Sequence, residues 1–305
     1  MVNDVNLDAL SRGETVFDSA VREAQLAQAR GLAERWHDRD RGRIQAVMAA
    51  TGLSTSSPEL LRGLRQTADE LSLRISIHMG FGERALVRRI HGCAQFDYAE
   101  AHGMLGSDVV AVHGYEVDEQ EIDILARSGT RLAHCPHMNQ FRGEVAPVHA
   151  MREKGIEVGL GIDNYFSDYF EVLRSFLASA RIRAHDPELF SADDALALGT
   201  IEAARVMGLE DQIGSIEVGK KADLQIVNMR RLGLTPVNDP VATLVYHGHG
   251  KDVETVYVDG RKVVSEGRVQ TADEDDLIDR AGEAAHAAWA RFADKYGSFV
   301  APAPH

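Results

Sequence analysis

Cysteine is scarce in this 305-residue chain: only Cys93 and Cys135 occur, and they form no CxxC pair. That indicates neither a disulfide framework nor a thiolate zinc site, and it points to a reducing cytoplasm. Basic residues are short as well. Against 47 Asp and Glu stand 33 Lys and Arg, a formal charge of −14, so positive patches that could displace counterions from nucleic acid or an acidic membrane are not expected. A small neutral or cationic substrate fits better, with no nucleic-acid and no membrane partner. No apolar run approaches the roughly 18 to 20 residues of a membrane span. Met1 is followed by VNDVNLDALSRGE rather than by a basic and then apolar leader. The expectation is a soluble, unsecreted, cytoplasmic protein. Internal repeats and low-complexity linkers are missing too, which leaves compact globular structure.

Apolar residues make up 44% of the chain, enough for a substantial core. From Glu14 to about Asp38, apolar or small residues recur at three- and four-residue steps, predicting an amphipathic helix. The run RIQAVMAA (43–50) reads as a strand, and Ser57 with Pro58 opens the helix SPELLRGLRQTADEL. The alternation continues through strands RISIHM (74–79), DVVAVHG (108–114), RLAHCP (131–136) and IEVGLGID (156–163), separated by helical patterns. Buried β-branched strands alternating with helices predict parallel βα units, closed either as a doubly wound sheet or as a barrel. His78, His113 and Asp163 fall at the carboxy ends of strands, where barrel active sites are built, and this favours the barrel.

Beyond Asp163, FEVLRSFLASARIRAH and SADDALALGTIEAARVMGL read as helices. DLQIVN (223–228), TVYVDG (255–260) and KVVSEGRV (262–269) are short strands with Gly-containing turns, a β module distinct from the barrel. A helix, DLIDRAGEAAHAAWARFADKYG, follows, with APAPH as a loose tail.

His78, His113, His134 and Asp163 present imidazole and carboxylate groups at successive strand ends. A divalent ion such as zinc takes three or four such N/O ligands and lowers the pKa of bound water to about 7. Spacing between strands is loose, which leaves as the lesser alternative that two or more of these are satisfied structural histidines. Cys135 beside His134 suggests a nucleophile and base, but alternation along a strand would point the pair to opposite faces. Gly159 and Gly161 in VGLGID suit close packing at a strand end better than phosphate binding.

The stretches LRISIHMGFGE, LGSDVVAVHGYEVDEQEIDIL and GTRLAHCPHMNQFRGEVAPVHAMREKGIEVGLGIDN resemble barrel strands five to eight of the amidohydrolase superfamily. The group they are most similar to contains adenosylhomocysteine and methylthioadenosine deaminases, guanine deaminases and triazine chlorohydrolases. GSIEVGKKADLQIVN and LVYHGHGKDVETVYVDGRKVVSEGRV resemble the β-sandwich return of those enzymes, and the likeness spans about residues 40 to 270.

The resemblance implies a (β/α)8 TIM-like barrel, here strands about four to eight only, with a small β-sandwich module. The divisions it suggests are a partial barrel over 1–215, the carboxy-terminal part of the sandwich over 216–270, and a helix and tail over 271–305. It implies a metal-dependent hydrolase acting on C–N or C–X bonds of a nitrogen heterocycle through a metal-bound hydroxide, with zinc, or iron, as the ion. His78 matches a metal ligand, and Asp163 the strand-eight aspartate that both touches the metal and takes a proton from the attacking water. His113 matches the residue that orients that water or steadies the developing oxyanion. His134 and Asn139 match a segment beside the substrate, and Asn139 can also hold its loop by side-chain to backbone bonds.

Two departures stand beside these matches. The family's His-x-His of strand one has no counterpart, since His247 and His249 in YHGHGK fall in the expected sandwich return. The glutamate three residues after the strand-five histidine is replaced by Phe81, with Glu83 two residues further on. These predict an amino-terminally shortened barrel with open sheet edges, to be covered by self-association or by a partner. The same departures raise the alternative of a non-catalytic relic or subunit of that fold.

Overall fold

A computed structural model describes residues 1–164 and 167–297; the expected loose tail APAPH lies outside them. The described chain divides into two compact units, 1–220 with 230–250, and 221–229 with 251–297. Residues 230–250 thus fold with the first unit, whereas the sequence grouped them with the β module.

The first long helix of the first unit is α1 (Ser19–Trp36), where the Asp18 carboxylate caps the backbone amides of Ala20 and Val21. Strand β1 (Met48–Ala50) is shorter than the run 43–50 expected. Helix α2 (Pro58–Leu71) starts as predicted, with the Ser57 hydroxyl accepting from Leu60 N and Pro58 in the first turn. Strand β2 (Ile75–Met79) leads through helices α3 (Arg84–His91) and α4 (Gln95–Ala101) to β3 (Val109–His113). Helix α5 (Glu119–Ser128) opens with a reciprocal capping box between Asp118 and Glu121. Strand β4 (Arg131–His134) runs into α6 (Pro136–Phe141), then α7 (Val148–Glu153) and β5 (Val158–Leu160). Helices α8 (Tyr169–Ala184), α9 (Ala192–Leu198) and α10 (Ile201–Met207) follow. The last two were expected as one stretch, but they break at Gly199 and Thr200, whose backbone (φ −128°, ψ −96°) is not helical.

The five strands pair in parallel in the order β1-β2-β3-β4-β5, so the sequential βα reading holds. Alternation is clear in β2, where Ile75, Ile77 and Met79 are buried while Ser76 and His78 are only partly so. Gly159 in β5 lets helix α10 lie against the sheet: a Cβ there would sit 2.7 Å from Ala203 Cα. The edge at β1 is less open than the sequence suggested. Val2 forms a parallel bridge to Ala50, donating its N–H to Ala49 O at 2.7 Å and accepting from Thr51 N at 2.9 Å. Nearby, the fully buried Asp4 carboxylate accepts from Ser57 N at 2.9 Å and from Arg22 Nη1 at 3.2 Å.

In the second unit, β6 (Leu224–Val227) pairs antiparallel with β7 (Val253–Val258), then β8 (Arg261–Ser265) and β9 (Arg268–Val269). Among the described residues this module is a single four-stranded sheet. Helix α12 (Glu274–Tyr296) begins with the acidic run Glu274, Asp275 and Asp276 in its first turn, where the helix N-terminus favours carboxylates. Helix α11 (Pro240–His247), by contrast, belongs to the first unit. His247 and His249 therefore fold with the barrel strands and not in the sandwich return.

Candidate active site

The site gathers at the carboxy ends of β2 to β5, where parallel strands run into loops. Met79 and His113 are register partners across β2 and β3, and register partners in a regular parallel pair share a face. Met79 is fully buried. Yet the His113 ring lies 5.0 Å, centroid to centroid, from the ring of His78, one residue before Met79. The reason is backbone: His113 has φ +79°, in the left-handed region, which breaks the alternation and turns the side chain toward the loops. Asp163, three residues beyond β5, also has a left-handed backbone at φ +64°. Each such residue costs on the order of 1 to 3 kcal/mol, recovered from surrounding packing.

Asn139, on α6, joins two of the histidines. His113 Nδ1 lies 3.0 Å from Asn139 Oδ1, and Asn139 Nδ2 lies 3.5 Å from His134 Nδ1. The hydrogen-bond network assigns the tautomers: an amide oxygen only accepts, so His113 carries its proton on Nδ1 and keeps a lone pair on Nε2. Burial holds His113 down at about pKa 4, against an upward pull from the Asn139 bond. Burial likewise holds His134 at about 4, and a bond to the His113 backbone acts the other way. Both rings are neutral at pH 7.

The His113 Nε2 atom is buried and has no hydrogen-bond partner. It faces Asp163 Oδ2 at 3.6 Å. Two electron-pair donors placed this way call for a cation or a proton between them. Cys135 Sγ joins them, and the three ligand atoms all lie within 4.8 Å of one another. Zinc bonds of about 2.0 to 2.3 Å put neighbouring ligand atoms roughly 3 to 4 Å apart, so this donor set fits a divalent ion. His78 stands beside it. Its Nδ1 is 2.6 Å from Thr51 O, and a carbonyl there fixes the proton on Nδ1 and leaves Nε2 able to bind a metal.

Phe81 stacks on both histidines, 4.3 Å from His113 and 5.2 Å from His78 by ring centroid, and the Arg142 guanidinium sits over the Phe81 ring, 4.5 Å from its centroid. Glu83 does not swing toward the site. It is buried, and its carboxylate accepts from Leu53 N at 3.3 Å and Ser54 N at 2.9 Å, with burial raising its pKa.

Sequence reasoning set Cys135 aside because strand neighbours alternate. Strand β4 in fact ends at His134, and Pro136 starts α6, so the alternation does not extend to Cys135. The Pro immediately after Cys135 was the available signal. A second grouping, Asp168, Glu171 and His249, also holds ligand atoms within 4.8 Å of each other. Its chemistry is local: Asp168 caps α8 by accepting from Phe170 N, accepts from Gly250 N, and lies 3.6 Å from His249 Nδ1.

Residues 6–263 match the Amidohydrolase family. The chain belongs to that family. Among curated relatives of this amidohydrolase, a 5-methylthioadenosine/S-adenosylhomocysteine deaminase of Symbiobacterium thermophilum is 37% identical, over 86% of the chain and 62% of its own length. A deaminase of the same description from Moorella thermoacetica is 35% identical, over 81% of the chain and 59% of its own length. A 5'-deoxyadenosine deaminase of Methanobrevibacter smithii is 31% identical, over 90% of the chain and 65% of its own length. The chain therefore spans about three-fifths of the length of these relatives.

Among solved structures, an adenosine deaminase from Xanthomonas campestris with bound zinc matches at TM-score 0.81 and 25% identity, covering 88% of the chain and 62% of that protein. An atrazine chlorohydrolase from Arthrobacter aurescens complexed with zinc matches at TM-score 0.77 and 23% identity, covering 89% and 63%. The five-stranded parallel sheet is thus the counterpart of part of a TIM-like barrel. Among the described residues, no helix is long and apolar enough to cross a membrane.

Proposed function

We propose that this amidohydrolase is a metal-dependent hydrolase acting on a C–N bond of a nitrogen heterocycle, with the amino group of an adenosine-type nucleoside as the leaving group. The observation that carries the reading is the buried, unpartnered His113 Nε2 facing the Asp163 carboxylate at 3.6 Å. The substrate class is supported by the deaminases it is similar to. C–X hydrolysis, as in the chlorohydrolases that share the fold, is the neighbouring chemistry on the same site.

His78, His113 and Asp163 would hold the ion, with zinc favoured by the bound metal of the structural neighbours. When bound, a divalent ion supplies Lewis-acid activation of water, lowering its pKa toward about 7. Asp163 takes the proton of the attacking water and returns it to the departing amine. With Phe81 three residues after His78, no carboxylate stands at that position to share the task, so Asp163 carries both transfers. His113 would offer its Nε2 lone pair to the ion, and Asn139 holds that tautomer. His134 and Asn139, both buried, would support the substrate site from behind its surface, through His113.

Free Cys93 and Cys135 are in keeping with a reducing cytoplasm as the place of action. Self-association, or a partner, on the edge of β5 away from β4 remains part of the reading. The test is deamination of 5'-methylthioadenosine, S-adenosylhomocysteine and 5'-deoxyadenosine by the zinc-loaded protein, followed by ammonia release. Turnover that disappears in Asp163→Asn supports the assignment; turnover that survives Asp163→Asn contradicts it.

A further inference from the structure

We propose that Cys135 is a protein ligand of the bound ion, giving this site a mixed nitrogen, oxygen and sulfur donor set. The inference rests on the metal-dependent reading above and adds a ligand to it. Cys135 Sγ, His113 Nε2 and an Asp163 carboxylate oxygen form one cluster within 4.8 Å. The thiol alone would carry little weight. What points it at a ligand is His113 Nε2, an atom of a side chain only 1% exposed, with no hydrogen-bond partner and its lone pair turned into the same space.

Local backbone chemistry makes the placement specific. Pro136 begins α6 directly after Cys135, and the cysteine backbone (φ −110°, ψ 74°) departs from both strand and helix. Across from it stands Gly161, where a Cβ would lie 3.3 Å from Sγ; glycine there keeps the sulfur from being crowded out. The Gly161 N–H donates to His134 O at 2.8 Å, which ties the strand-eight segment carrying Asp163 to the residue before the thiol. The donor atoms therefore ride on backbone already tied together, the arrangement that limits reorganisation on binding.

Binding is balanced by one proton: the Cys135 S–H bond breaks, the sulfur electron pair goes to the ion, and the proton leaves to solvent. The thiolate also offsets a charge of +2 that His113 and His78, both neutral donors, leave to Asp163 alone. Zinc, cobalt and iron accept such mixed sets, whereas magnesium and calcium do not.

The experiment uses the full chain titrated with cobalt(II) and read by absorbance, with affinity measured in parallel by chelator competition. Wild type is expected to show a near-ultraviolet thiolate-to-cobalt charge-transfer band, and Cys135→Ser to lose that band and at least tenfold in affinity. Circular dichroism of Cys135→Ser and of Cys135→Ala checks that the fold persists. Cobalt bound with visible d–d bands but no charge-transfer band in wild type overturns the thiolate ligand and leaves the metal site standing. A charge-transfer band that survives in Cys135→Ser overturns it equally. No cobalt bound at all overturns the metal-dependent reading itself.

Discussion

His113 Nε2 and Asp163 Oδ2 face each other at 3.6 Å, His113 as the last residue of β3 and Asp163 three residues beyond β5, both on left-handed backbone. The pairing makes sense only with a positive charge between the two atoms, because Asn139 has already taken the one ring proton of His113 to the opposite side. On the metal-dependent reading proposed above, a neutral imidazole and a carboxylate aimed into one space would serve as a ligand pair before they serve as a proton-transfer pair.

Asn139 is the first place to test this. Replacing it by Ala removes the acceptor that fixes His113 Nδ1–H and the donor to His134 Nδ1. Removing such an outer partner costs about 10- to 100-fold in metal affinity, and each stranded buried group costs about 1 to 3 kcal/mol. Zinc competition with a chromophoric chelator, alongside urea denaturation, reads both losses. Unchanged affinity in Asn139→Ala would mean the His113 tautomer is set some other way.

Stability of the metal-free protein should fall as the medium is made acidic. His134 is held at about pKa 4 when folded, against about 6.5 when unfolded. Between those values the unfolded chain binds the extra proton, so stability is full above pH 6.5 and drains away as pH falls toward 4. The contribution of His134 is roughly 3 kcal/mol, since each pKa unit is worth about 1.4 kcal/mol. His113 shifts in the same direction and steepens the slope. Urea midpoints measured from pH 7.5 to 4 should decline across this window, and His134→Gln should flatten the decline. A flat profile in wild type would contradict the buried neutral rings.

Glu83 is expected to behave as a structural anchor. Its carboxylate holds the amides of Leu53 and Ser54, and Glu83→Ala strands both while opening space, a loss of about 2 to 4 kcal/mol. Glu83→Gln keeps one acceptor oxygen and should lose less than half as much, with turnover close to normal. Thermal melts and initial rates separate the two roles. A Glu83→Gln protein that melts normally but turns over a hundredfold more slowly would show that the carboxylate moves protons after all.

Gly159→Ala tests the barrel side of the account. The added methyl would lie 2.7 Å from the Ala203 Cα, a clash with backbone that no rotamer relieves, so α10 must shift away from β5. Overpacking of this kind costs about 1 to 3 kcal/mol. A stability equal to wild type in urea denaturation would mean that the helix is not seated on the strand as described.

Much of this was legible in the residues. The five strands, their parallel order and the strand-end positions of His78, His113 and Asp163 follow from buried, β-branched runs separated by helical patterns. What escaped did so for local reasons. Nothing in DVVAVHG marks His113 for left-handed backbone, because only the tertiary pairing with β2 exposes the break in alternation. Cys135 was set aside by extending strand geometry one residue past the end of β4, and its Sγ lies close to His113 and Asp163. His247 and His249 were assigned to the sandwich because the motif strands follow them closely, while Pro240, a helix-opening residue, was the signal that they belong to α11 and the loop after it. The run 43–50 shrank to Met48–Ala50 because its first half lacks a paired neighbour in the sheet.

The most direct test of the central claim is the zinc content of the purified 305-residue chain, measured by plasma mass spectrometry after equilibration against limiting zinc, for wild type, His113→Ala and Asp163→Asn. The account predicts one zinc per wild-type chain and loss of most of it in both variants. Zinc bound equally by all three proteins, or by none of them, would contradict it.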